Sequence, residues 1–376
     1  MTASPPSETS ARPSKTLRIL GTRGVPAAHG GFETFAEHLA LFLVQKGWRV
    51  VVYCQLDGHG ALHEDRWQGV ERVNIPVARG GPAGTIEFDW LATRHAARHR
   101  DTCLVLGYNT AVFCAWLRMR GVRCVINMDG IEWSRAKWGR MAKAWFWLND
   151  WAGCWLGDQL VADHPEIARH LASRVRADKI TTIAYGADPV HGADEAPVRA
   201  LGLVPGRYLT LVARPEPENS ILEVVQGFSA HPRGHTLAVL GHYDPQHPYH
   251  QAVMAAAGPE VRFLGAIYDK PVVQALRFHG LAYVHGHQVG GTNPSLVEAL
   301  AVGNAVIAHD NRFNRWVCAP SAVFFKTAED FSGALGELLA HPDRLRQMAA
   351  DSRSRFEQAF RWETILGAYA ALLGSP

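Results

Sequence analysis

Short apolar runs alternate with amphipathic stretches along almost the whole chain. The runs at 17–21, 49–54, 70–77, 103–107, 123–127, 159–162 and 180–183 have the length of strands, and 32–46, 86–99 and 165–174 carry helical spacing between them. A second series follows, with strands expected at 208–213, 236–240, 261–264, 281–284 and 305–308 and helices at 221–229 and 268–278. Strands alternating with helices predict parallel sheets joined by crossover helices. The stretch 186–206 between the two series is rich in Ala, Gly and Pro and reads as a linker. The fold class expected is α/β: two doubly wound Rossmann-like domains with a cleft between the carboxyl ends of their sheets, where such proteins bind ligands. No internal repeat is visible.

At 376 residues the chain is long enough for two domains with full cores. Its net charge is +3 with the basic residues dispersed, which argues against a nucleic-acid partner. Six cysteines (Cys54, Cys103, Cys114, Cys124, Cys154, Cys318) lack C-x-x-C spacing and mostly sit in apolar runs, so they read as reduced core thiols. The nineteen histidines are scattered and no H-E-x-x-H occurs, so no metal site is expected. Residues 1–16, rich in Ser, Thr and Pro, read as a disordered tail rather than a signal peptide. No segment offers the ~18 uninterrupted apolar residues of a membrane span. A cytoplasmic protein is expected, at most peripheral at the inner face of a membrane.

The stretch richest in chemistry runs from His285 to Glu298, off an apolar strand, through Gly290 and Gly291, into a helix. Asn293 suits the cap and Pro294 the first helical position. The glycines admit a ligand close to the backbone, and the free amides of Gly290, Gly291, Thr292 and Asn293 then face it. Glu298, about one turn further in, is placed to accept hydroxyl hydrogen bonds. A diphosphate bearing a sugar fits that description; so does an ordinary capped turn with no ligand.

The first strand empties into a long loop that closes on Gly30-Gly31 at a helix start, without the G-x-G-x-x-G of a dinucleotide site. Glycines there again suit an anionic or sugar group, and Arg23 suits a bidentate phosphate contact. Arg214 ends the second domain's first strand, where it faces the cleft or pairs with Glu216 or Glu218. Asp129 and Glu132 follow the strand at 123–127, at the end of the sheet where a sugar or acceptor hydroxyl would lie; either also suits a helix cap. Half of the twelve tryptophans fall between Trp133 and Trp155. Trp147, Trp151 and Trp155 recur every four residues, preceded by Arg135, Lys137, Arg140 and Lys143. Such a helix suits a lipid interface over 133–155, or a core stripe.

Together these stretches resemble glycosyltransferase family 4, retaining enzymes of the two-domain GT-B fold, from Leu17 onward. Gly-Thr-Arg-Gly-Val-Pro…Gly-Gly-Phe-Glu-Thr, Asn-Met-Asp-Gly, Arg-Pro-Glu-Pro-Glu-Asn and His-Gly-His-Gln-Val-Gly-Gly-Thr-Asn-Pro-Ser look like a rhamnosyltransferase-like subgroup of polysaccharide biosynthesis. The resemblance implies an N-terminal acceptor domain (17–187), a linker (188–206), a nucleotide-sugar domain (207–355) and a C-terminal helix (356–376) that crosses back. It also implies retaining transfer of a hexose, with L-rhamnose from dTDP-rhamnose the expected donor and a polyprenyl-diphosphate-linked glycan the expected acceptor. No cofactor or metal is implied. Asp129, Arg214 and Glu298 would be catalytic, Gly30, Gly31, Arg23 and 290–293 would bind the donor phosphates, and His287, Glu132 and Asn219 would position sugar or acceptor.

The chain departs from the family's pattern. Of two glutamates normally eight positions apart only Glu298 is present, with Gly290 in place of the first. Asn219 replaces a lysine five positions after Arg214, and Asp129 replaces a histidine. A 6-deoxy sugar, with fewer hydroxyls, would fit the loss of a carboxylate. The alternatives are a nucleotide-sugar-binding protein without transfer activity and a GT-B sugar 2-epimerase.

Overall fold

The computed structural model describes residues 15–28 and 30–375, so the expected disordered tail falls outside the described residues except for Lys15 and Thr16. Thr16 is not part of a tail. It opens β1 (Thr16–Leu20), pairing opposite Arg49 while Leu17 and Ile19 enter the core.

The first sheet comprises β1, β2 (Arg49–Asp57), β3 (His63–Trp67), β4 (Val70–Val77), β5 (Thr102–Leu106), β6 (Cys124–Asn127), β7 (Gln159–Ala162) and β8 (Ile180–Thr182). Its order is β3-β4-β2-β1-β5-β6-β7-β8, parallel except for the β3–β4 hairpin. The hairpin turns on Gln68 and Gly69, both at positive φ (48° and 83°), which matches the right-handed twist of paired strands. Helices α1 (Gly31–Gln45), α2 (Gly81–Ala96), α3 (Cys114–Met119), α4 (Arg140–Leu156) and α5 (Pro165–Ala172) flank this sheet. Alternate strand residues divide between its faces: Ile19, Val50, Val52 and Leu104 join Phe35, Leu39 and Leu43 of α1. Val51, Tyr53, Cys103 and Val105 join Phe88 and Ala92 of α2 on the other face. All six cysteines are buried and unpaired.

The second sheet comprises β9 (Tyr208–Val212), β10 (Thr236–Leu240), β11 (Val261–Gly265), β12 (Ala282–His285), β13 (Ala305–His309) and β14 (Ala322–Phe325). It is wholly parallel in the order β11-β10-β9-β12-β13-β14. Around it lie α6 (Ala196–Ala200), α7 (Ile221–Ser229), α8 (Pro248–Ala255), α9 (Lys270–Phe278), α10 (Pro294–Val302), α11 (Arg312–Cys318) and α12 (Ala328–Ala340). Each sheet reverses direction once, between β1 and β5 and between β9 and β12. These reversals open crevices at the carboxyl ends of the strands.

The segment 188–206 is more than a linker. It carries α6, and Val198 and Leu203 bury at 0% and 4% exposed against Tyr208 and Leu276, so part of it belongs to the second core. The chain passes between the sheets twice. The second passage separates α13 (Pro342–Ala359) from α14 (Trp362–Gly374), which lies on α1 with Tyr369 4.6 Å from Phe35. The two passages pair: the Ala187 amide donates to the Phe360 carbonyl (2.9 Å) and the Trp362 amide to the Ala187 carbonyl (3.3 Å). Phe360 is fully buried at this crossing. Phe360→Ala should therefore cost about 3–5 kcal/mol by opening a cavity at this crossing, read as a lower urea midpoint; an unchanged midpoint would mean the crossing carries no packing energy. Among the described residues no helix is long and apolar enough to cross a membrane.

Candidate active site in the cleft

A cavity of about 350 Å³ lies where the carboxyl ends of the two sheets face each other. Two helix starts form part of its wall. Asn293 caps α10 through its side-chain oxygen, which accepts the Ser295 amide (3.0 Å), and Pro294 takes the first helical position. A β-carbon on Gly31 would lie 3.2 Å from Pro294 Cγ, so the N-termini of α1 and α10 stand against each other across the cleft. Gly290, at φ 134°, adopts a backbone that side chains rarely allow.

The amide row at α10 is not wholly open. Asp163, just past β7, reaches across the cleft: its Oδ2 accepts the Thr292 amide (2.9 Å), and the Thr292 hydroxyl donates to the Asp163 carbonyl. Its Oδ1 is buried without a hydrogen-bond partner among the described residues and lies against Gly291, where a β-carbon would sit 2.1 Å away. Burial, and then the nearby Asp129, push the Asp163 carboxyl up to about 7. Sequence reasoning passed over Asp163. The available signal was its place immediately after a β-strand, like Asp129 in the loop after β6.

Asp129 lines the same cavity at φ 49°, a left-handed conformation that costs an L-residue roughly 1–2 kcal/mol. Asn127 holds it there, its Oδ1 accepting the Asp129 amide (3.0 Å) while its Nδ2 donates to Tyr369 of α14 (2.9 Å). Burial, and then Glu132, raise the Asp129 carboxyl to about 6. Glu132 is already engaged. It accepts from Arg135 Nη1 (2.6 Å) and from the Trp138 indole (3.0 Å), and so supports the loop rather than presenting a free carboxylate. The same Arg135 crosses the cleft to Glu218 through Nε (3.1 Å) and Nη2, a link that the sequence reading missed.

That ion pair settles the partner of Arg214. Glu218 belongs to Arg135, and Arg214, exposed in the cavity wall, has no carboxylate partner within ion-pair distance among the described residues. Asn219 fixes the turn, its side-chain amide donating to the Arg214 carbonyl (2.8 Å). His287 stacks on the buried His285 at 4.3 Å with 10° between the rings. Burial first, then the Arg214 and Arg135 charges, lower His287 to about 4, so it presents a neutral imidazole at neutral pH. Its Nδ1 has no partner among the described residues.

Three expected residues lie elsewhere. Glu298 does not share the wall of Gly290–Asn293; it pairs with Arg277 (2.7 Å) in a second cavity of about 340 Å³ with His38, Asp188 and Lys270. Tyr185 lines both cavities. Arg23 and Gly30 line a separate hollow at the first sheet's reversal, beside Asp89, whose carboxyl burial raises to about 6. The Arg23 amide donates to Glu33 (3.2 Å), and the Arg23 side chain is not in the wall of the main cavity.

Two doubly wound parallel domains joined by a paired crossing, with the cleft between their carboxyl edges, constitute the GT-B fold of glycosyltransferases. The chain is similar in structure to a sucrose-phosphate synthase from Thermosynechococcus elongatus (TM-score 0.79, 17% identity, 95% of this chain and 98% of that one). It is similar also to HepE of Anabaena in complex with UDP and glucose (0.74, 14%, 96% and 100%). A third is an α,α-trehalose-phosphate synthase (UDP-forming) from Burkholderia xenovorans in complex with glucose-6-phosphate (0.73, 13%, 96% and 100%). Residues 14–188 match a family model described as a domain of unknown function, DUF1972. No curated protein matches the chain in sequence.

Proposed function

We propose that this chain is a metal-independent retaining glycosyltransferase that takes a sugar from a nucleotide diphosphate. The observation that carries the reading is Arg214, left without a carboxylate partner among the described residues and facing the cavity onto which the starts of α1 and α10 open. A cation and oriented amides at one point stabilise a departing diphosphate without a metal ion. The two cavities joined at Tyr185 suit an extended donor, with the nucleoside beside Glu298 and Arg277 and the sugar beside Asp129 and His287. The acceptor hydroxyl attacks the anomeric carbon on the face from which the diphosphate leaves; the C–O bond to phosphate breaks and the hydroxyl proton passes to a diphosphate oxygen. Asp129 and His287 position hydroxyls, and closure of the cleft excludes water.

The sugar proposed is L-rhamnose from dTDP-rhamnose, on the motifs 21–34, 127–130, 214–219 and 285–295. The acceptor proposed is a glycan on a polyprenyl diphosphate. UDP, in the Anabaena complex, is the first competitor to test as the nucleotide. Thermal stabilisation against dTDP-rhamnose, UDP-glucose, UDP-galactose, UDP-N-acetylglucosamine, GDP-mannose and the free nucleotides ranks donors without an acceptor, because the shift grows with ln(1 + [L]/Kd). The expected result is a largest shift with dTDP-rhamnose that Glu298→Ala diminishes. A larger shift with a UDP or GDP sugar would replace the donor, and no shift with any nucleotide would overturn the transferase reading.

A further inference from the structure

Helix α4 presents an uncovered apolar face. Met141, Ala144, Leu148, Trp151 and Trp155 recur at alternating three- and four-residue steps, the spacing of one helix surface. Met141 is 88% exposed, Trp155 61%, Trp147 49% and Leu148 48%, and these are four of the ten large exposed apolar side chains among the described residues. Trp147, Trp151 and Trp155 form a continuous aromatic row, with ring centroids 6.2 Å and then 5.2 Å apart. A stripe meant for the core would be covered. Here Trp151 is braced by the Arg174 guanidinium 4.6 Å from its ring, while Met141, Leu148 and Trp155 stay exposed.

The outward-facing charges of α4 itself are of one sign. The single acid of α4, Asp150, turns inward to Arg174 (2.5 Å) and His170 (3.1 Å). Arg140 and Lys143 lie in its first turn. At its far end the Arg118 guanidinium donates to the Trp155 carbonyl (3.4 Å), with exposed Met119 and Arg120 following. Indoles flanked at both ends by Lys and Arg match the polar–apolar boundary of a bilayer with negative headgroups, where rings sit at the interface and cations meet the phosphates.

We propose that the exposed face of α4, with Trp147, Leu148 and Trp155 at its centre, docks this protein on an anionic lipid bilayer. The consequence for the cleft follows from the chain. Lys137, three residues before α4, lines the main cavity, and Arg135 and Trp138 brace Glu132 beside it. A protein lying on α4 therefore has its cleft mouth beside the headgroups, where a lipid-borne acceptor reaches it without leaving the membrane. That last step rests on the transferase reading; the docking itself does not.

The test is flotation of the full chain with phosphatidylcholine vesicles, with and without phosphatidylglycerol, at low and high salt. Wild type is expected to float with the anionic vesicles alone and to be released by salt. Leu148→Glu and the pair Trp147→Ala/Trp155→Ala should each lower the bound fraction about tenfold, with melting temperature and nucleotide-induced stabilisation unchanged. Quenching of wild-type tryptophan fluorescence by brominated lipid gives the same answer without a variant. Wild type remaining with the unbound fraction, or Leu148→Glu floating as well as wild type, would overturn the proposal. So would a wild-type dimer that Leu148→Glu splits in the absence of any flotation, which would make the face a protein interface. Flotation without any response to nucleotides would leave the docking standing and remove the transferase reading.

Discussion

Arg214→Ala is expected to lower kcat/KM for sugar transfer by about 10²- to 10³-fold, the usual cost of removing one donor aimed at developing charge. Arg214 stands at the second sheet's reversal, on a turn that Asn219 pins through the Arg214 carbonyl. The charge on the diphosphate rises as the anomeric bond breaks, so the loss should fall more on kcat than on KM. Arg214→Lys should recover part of the rate, since an ammonium keeps the charge but loses the planar fork that matches two phosphate oxygens. Removal of an exposed side chain with no ion-pair partner among the described residues should move stability by no more than about 0.5 kcal/mol, so unfolding cannot mimic the effect. A variant that retains kcat/KM within about threefold, far short of the loss expected for such a donor, would place the leaving group elsewhere.

Much of this geometry was legible in the sequence because it depends on local rules. Apolar runs and helical spacing carried the two parallel sheets, and Asn293-Pro294 carried the start of α10. The strand β3 was not legible: His63-Glu-Asp-Arg-Trp67 is a polar edge strand with no buried alternation, and only its Gln68-Gly69 turn marks the hairpin. The segment 188–206 looked like a linker because α6 is one short turn, and nothing local says that Val198 and Leu203 bury. In the cleft, residues on one strand end or one turn were found, whereas pairings across it were hidden. Glu132 and Glu218 look like free carboxylates until Arg135 is seen to hold both. Thr292 looks like a phosphate ligand until Asp163, 129 positions away in sequence, is seen on its amide. Glu298 faces a second cavity, which shares Tyr185 with the first, a matter of tertiary placement rather than spacing.

Asp163→Asn is expected to abolish a pH dependence of donor binding that wild type should show. In the wild type, a carboxyl raised to about 7 sits on the Thr292 amide and against Gly291, the position proposed for the donor's phosphates. Both phosphates of a nucleotide sugar remain ionised through the neutral range, so a charged Asp163 repels them and a protonated one does not. Donor affinity should therefore be greatest below pH 7 and weaken above it, by up to about tenfold per pH unit for one linked proton. The asparagine is neutral at every pH and should bind with a flat profile near the wild type's low-pH affinity. Stability is linked with the same sign. Because the folded carboxyl titrates above its unfolded value, wild type is favoured at low pH and loses that advantage as pH rises from about 4 through about 7; Asp163→Asn lacks the loss. Calorimetric titration of the best donor at several pH values, with Asp129→Asn as a second variant, separates the two acids, since the Asp129 carboxyl is raised to about 6 and, among the described residues, accepts no hydrogen bond from the α10 amides, whereas Asp163 does. A flat wild-type profile, or a slope that survives in Asp163→Asn and disappears in Asp129→Asn, would mean that Asp163 swings clear of the amides before the donor arrives.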